Sequence, residues 1–124
     1  MHRSKISVSP NKFIRITATE PGIATIGKAE ATLQKNKIKY KKSIVYLKDI
    51  PASKIYNQPY GFVKLLADRN NRLVGATIMA PDISAIASEL ALAVHNQLTA
   101  SEIATIPHPT NSFSYAIELA AKKL

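Results

Sequence analysis

Two β-rich runs, Tyr60–Ala67 and Leu73–Met79, have the turn-forming stretch Asp68-Arg69-Asn70-Asn71 between them. The runs are aliphatic and the residues between them are turn formers, so they pair as an antiparallel hairpin. Upstream, Phe13 to Thr19 alternates like a strand. Pro21-Gly22 interrupts it, and Ile23 to Ile26 resumes it up to Gly27. Lys28 to Lys35 holds helix formers for two turns, and an apolar alternation runs from Lys37 to Leu47. Residues 49–59 contain Pro51 and Pro59 and hold no long regular element.

The C-terminal third has helical spacing. Asp82 comes after Pro81 in the position of an N-cap, and Ile83, Ile86, Ala87, Leu90, Ala91 and Val94 form one apolar face behind it. Thr99-Ala100-Ser101-Glu102 has the form of a capping box and opens a short helix ending before Pro107. A third helix is predicted from about Ser112, with Phe113, Ala116, Ile117, Ala120 and Leu124 on one side. Strands first and helices last predict an α+β domain, an antiparallel β-sheet with helices packed on it. At 124 residues the chain is one domain, expected over 13–124, with the polar and basic residues 1–12 as a flexible arm or former linker.

Composition narrows the chemistry. With no Cys, the chain carries no thiol nucleophile, thiolate metal site or dithiol of its own. Metal-ligand spacing of His and carboxylates is absent, and the four glycines form no phosphate-cradling loop. No apolar run approaches the roughly 18 residues of a membrane span, and the N-terminus lacks a signal-peptide core, so the expectation is a soluble cytoplasmic protein.

The net charge of +9 lies wholly in residues 1–54, and its densest part is Lys35, Lys37, Lys39, Lys41 and Lys42. Such a strip fits either an anionic partner or the solvated face of a strand. Alternation with Ile38 and Tyr40 favours the strand, and no aromatic interleaving or recognition-helix pattern supports nucleic acid. Of the three histidines, His2 is terminal, His95 falls late in the first long helix, and His108 sits in Pro107-His108-Pro109-Thr110. The prolines limit the directions the His108 ring can take. A fixed imidazole suits acid–base work, although the spacing alone favours a loop histidine that packs or hydrogen-bonds locally.

Several blocks, taken in order, resemble the C-terminal dimerisation domain of the flavin-dependent pyridine nucleotide-disulfide oxidoreductases, such as dihydrolipoamide dehydrogenase, glutathione reductase and mercuric reductase. Pro21-Gly22-Ile23-Ala24-Thr25-Ile26-Gly27-Lys28-Ala29-Glu30-Ala31 is similar to that family's Pro-x-x-Ala-x-x-Gly-x-x-Glu-Ala. Gly61-Phe62-Val63-Lys64-Leu65, Arg72-Leu73-Val74-Gly75-Ala76, Glu89-Leu90-Ala91-Leu92-Ala93, Leu98-Thr99, His108-Pro109-Thr110 and Ala120-Ala121 come after it in register, so the likeness covers roughly residues 13–123.

The resemblance implies an interface domain that forms a two-fold homodimer and offers His108 to the partner subunit's active site as an acid–base group. FAD and NAD(P)H belong to other domains of such an enzyme, so this chain alone is expected to bind neither and to catalyse nothing. The family usually has a Glu five residues after the His, and here that residue is Phe113. The ring is therefore expected to lack an orienting carboxylate, with Glu118 too far along the chain to replace it. Two other readings stay open: a stand-alone homodimeric module binding an anionic partner through Lys35–Lys42, and a parent reductase acting on something other than a dithiol.

Overall fold

The computed structural model describes residues 13–17 and 19–124. The expected arm, residues 1–12, lies outside the described residues. Among the described residues five strands form one antiparallel sheet in the order β1-β2-β5-β4-β3. They are β1 (Ile14–Thr17), β2 (Gly22–Gly27), β3 (Lys41–Tyr46), β4 (Phe62–Ala67) and β5 (Leu73–Ala80). The helices are α1 (Glu30–Lys35), α2 (Pro51–Ile55), α3 (Ile83–His95), α4 (Ala100–Ala104) and α5 (Tyr115–Lys122). The α+β architecture expected from the sequence is the one observed.

The β4–β5 hairpin is central. Val63 pairs with Ile78 and Leu65 with Ala76, with a register shift between Leu66 and Ala67. Its turn is closed by the Asp68 carboxylate, which accepts from the main-chain N–H of Asn70 at 2.9 Å and of Arg72 at 3.0 Å. Asn71 takes a positive φ of 63°, which asparagine tolerates better than most residues. Strand alternation places Ala24, Ile26, Val45, Val63, Leu65, Ala76 and Ile78 in one buried cluster with Ile86, Leu90, Ile117 and Ala120 of α3 and α5. On the other face α1 buries Leu33, and its Glu30 ends beside Lys64 and Lys42.

Four local expectations are corrected. Ile23–Ile26 does not continue the first strand in the same direction. The chain reverses at Glu20-Pro21, and β2 lies antiparallel to β1 with Thr17 opposite Ile23. The alternation from Lys37 yields a strand only from Lys41: Lys37 has a positive φ of 54° and Ile38 N–H donates to the Leu33 carbonyl at 2.9 Å, so the start of that stretch closes α1. Asp82 occupies the N-cap position of α3 in a left-handed conformation, with φ 55° and no capping bond from its side chain. The last helix begins at Tyr115 rather than Ser112, leaving Phe113 in the preceding turns, where its ring packs on Tyr56 at 5.7 Å.

Candidate functional site

The site is built where α3, α4 and α5 converge. Leu90, Ala91 and Val94 pin α3 to the sheet, so Glu89 lies at the border of its buried face. The capping box at the head of α4 forms as expected: Glu102 N–H donates to Thr99 Oγ1 at 3.2 Å and Thr99 N–H to Glu102 Oε1 at 2.8 Å. The loop before it is tied to the hairpin through Leu73 N–H to the Leu98 carbonyl and Ala100 N–H to the Asn71 carbonyl, both 2.8 Å. These bonds set where α4 ends and hence where Ile106 and His108 emerge.

His108 is held at three points. Its main-chain N–H donates to Glu118 Oε1 at 2.8 Å. Its Nδ1 lies 2.9 Å from the Ile106 carbonyl and 3.4 Å from Glu118 Oε1. Its Nε2 lies 2.6 Å from Glu89 Oε2. The expectation that the ring lacks an orienting carboxylate is therefore corrected. Phe113 supplies none, but α3 and α5 each bring one, and Glu118 reaches back because the chain folds over between Pro109 and α5.

Burial of the His108 ring disfavours its charged form, but the Glu89 bond and charge, the Ile106 carbonyl and Glu118 outweigh it, and the pKa is raised above the ordinary 6.5. The Glu118 carboxyl is lowered, chiefly by the His108 main-chain N–H and then by Lys122 at 3.0 Å. His108 lines a cleft of about 440 Å³ with Leu92, Ile106 and Pro109, and Glu89 also borders a second of about 560 Å³ beside Tyr56 and Phe113. Leu92 and Ile106 are 65% and 57% exposed. His95 is not part of this site; its ring stands edge-on to Phe13.

A second polar cluster, on the opposite face of the sheet, has no signature in the sequence. Tyr40 donates its hydroxyl to Glu30 Oε2 at 2.6 Å, and Lys42 and Lys64 each approach the Glu30 carboxylate at 3.0 Å. Tyr40 and the two lysines pull the Glu30 carboxyl down to about 2 against the effect of burial. Lys42 of the basic strip is thus engaged within the chain, and β3, which carries it, lies at the edge of the sheet.

Gly75 and Gly27 do not build a dinucleotide cradle. A Cβ on Gly75 would strike the Lys28 carbonyl, and one on Gly27 would lie 2.5 Å from the Val74 carbonyl, so both serve close strand packing. These residues do not fit a pyrophosphate, which needs glycines opening a helix N-terminus.

The chain is similar to several known proteins. The dihydrolipoyl dehydrogenase of Caenorhabditis elegans mitochondria is 32% identical over 113 residues, covering 89% of this chain and 23% of that protein. A mercuric reductase of Shigella flexneri is 29% identical over 108 residues, covering 86% of this chain and 19% of the relative. Among solved structures, LpdA of Mycobacterium tuberculosis superimposes with a TM-score of 0.84 at 26% identity, over 94% of this chain and 26% of that one. The flavoprotein disulfide reductase RclA of Escherichia coli shares the fold, with a TM-score of 0.84 at 16% identity over 91% of this chain and 26% of that one. The chain thus spans about a quarter of the length of the proteins it matches. Residues 14–121 match the family described as "Pyridine nucleotide-disulphide oxidoreductase, dimerisation domain", and the chain belongs to it.

Proposed function

We propose that this domain pairs with a second copy of itself about a two-fold axis and, in a full-length flavoprotein oxidoreductase, offers His108 as an acid–base group to the partner subunit. FAD, NAD(P)H and the redox-active dithiol belong in this reading to domains outside these residues. The observation that carries it is the exposed apolar pair Leu92 and Ile106 on the cleft that His108 lines. Exposed apolar surface next to a titratable group fits a contact that is covered on assembly. The two carboxylates around His108 support the acid–base role, since oriented imidazoles with shifted pKa values suit proton transfer near neutral pH.

Sedimentation over a hundredfold range of concentration tests the pairing. A rising dimer fraction is expected, and a strict monomer at the highest concentration would overturn it. In a full-length oxidoreductase carrying this domain, His108→Ala should lower kcat by roughly a hundred- to ten-thousand-fold. Retention of full turnover would remove His108 from the reaction. The reading of the chain as a module for an anionic partner loses support from Lys42, whose charge is already met by Glu30.

A further inference from the structure

Both nitrogens of the His108 ring face acceptors. Nδ1 is directed at the Ile106 carbonyl and Glu118 Oε1, and Nε2 at Glu89 Oε2. A neutral imidazole carries one N–H, so one of these contacts would set a ring lone pair against an oxygen lone pair. The doubly protonated ring donates to both sides. The arrangement is also asymmetric in access: the His108 side chain is 6% exposed and the Glu89 side chain 39%.

The two carboxylates divide the work. Glu118 accepts the His108 main-chain N–H at 2.8 Å and is itself paired with Lys122, so it anchors the backbone of the segment whichever way the ring points. Glu89, on a different helix, touches only the ring tip through Nε2. A ring held in this way has neither nitrogen free for a group beyond its own chain.

We propose that Glu89 is a positioning residue that clasps Nε2 of His108 and stores the ring as an imidazolium within its own subunit until the clasp is opened. Its consequence for catalysis rests on the reading of His108 as the acid–base group above; the clasp itself is a property of this chain. Among the described residues, the charged and titratable groups around the ring are Glu89 from α3, and Glu118 with its partner Lys122 from α5. Because Glu89 is more than a third exposed, a cationic group arriving from outside can compete for its carboxylate without disturbing the core.

Ring-nitrogen NMR of the 124-residue chain tests this directly. In Glu89→Gln the His108 titration midpoint should fall, while the amide spectrum of the core strands stays that of the parent chain and reports an intact fold. In the unsubstituted chain the Glu89 carboxyl carbon should inflect at the His108 midpoint. A His108 midpoint unchanged in Glu89→Gln, or a Glu89 signal blind to His108, would overturn the clasp. Neither result depends on sedimentation, so a chain that fails to dimerise leaves the clasp standing, and a broken clasp leaves dimerisation standing.

Discussion

His108 and Glu118 are joined by the main chain of one and the side chain of the other: the His108 N–H donates to Glu118 Oε1 at 2.8 Å, and Nδ1 of the same histidine lies 3.4 Å from that oxygen. A single carboxylate therefore holds the backbone, and flanks the ring, of a residue that lies between two prolines. Pro107 and Pro109 have no N–H to donate, so the His108 N–H is the one main-chain donor within that tripeptide. Glu118→Ala is expected to lower the melting temperature by several degrees and to loosen the 107–113 segment. Hydrogen exchange at the His108 amide, measured against a core amide such as that of Ile78, checks it.

The pH dependence of stability has a definite sign at His108. Its pKa in the folded chain is raised, so its contribution is fully present below the unfolded value near 6.5 and disappears as pH rises through the folded value. Urea midpoints across pH 5.5 to 9 should show the parent chain losing its advantage over His108→Asn toward high pH. An advantage that grew with pH would mean that the ring is held neutral.

Glu30 works in the opposite sense. Its carboxyl is lowered to about 2, so the stabilisation it provides is present above about 4.5 and is lost as pH falls toward 2. Glu30→Gln should cost about 1.5–3 kcal/mol at pH 7, the range for hydrogen bonds to charged groups. The gap between the two chains should close on acidification, read by denaturant titration at pH 7 and pH 3.

Ile78 is fully buried on the central strand, opposite Val63. Ile78→Ala removes three methyl or methylene groups from a site walled by the sheet and α3, and should cost about 2–5 kcal/mol. Equilibrium urea unfolding gives the value directly.

Leu92 projects from α3 with 65% of its surface exposed. Leu92→Glu should shift the chain toward monomer in sedimentation while changing the stability of the monomer by no more than about 0.5 kcal/mol, as for other exposed positions. Loss of folding in place of loss of pairing would show that Leu92 serves the fold of its own subunit.

Short-range order was legible in the amino-acid sequence. The β4–β5 hairpin arises from four turn residues between two aliphatic runs, and the capping box at Thr99 and Glu102 from their spacing. The buried face of α3 arises from the period of Ile86, Leu90 and Val94. Each is marked by residues close together in the chain, where backbone geometry decides which side chains share a face. His108 was marked by its prolines for the same reason. Asp82 and Lys37 went the other way: both take a left-handed φ that residues other than glycine seldom adopt, Lys37 where it closes the end of α1.

The partners of His108 were decided only by the tertiary fold. Glu89 stands 19 residues before it and Glu118 10 after it, on helices whose meeting depends on how the sheet seats α3 and α5. The same holds for Glu30, drawn to Lys64 across 34 residues of chain. A missing carboxylate at Phe113 is visible in one dimension; its replacement from two other helices is not. Charge and hydrogen-bond partners act over a few ångströms of space, and only packing brings residues so distant along the chain within that reach.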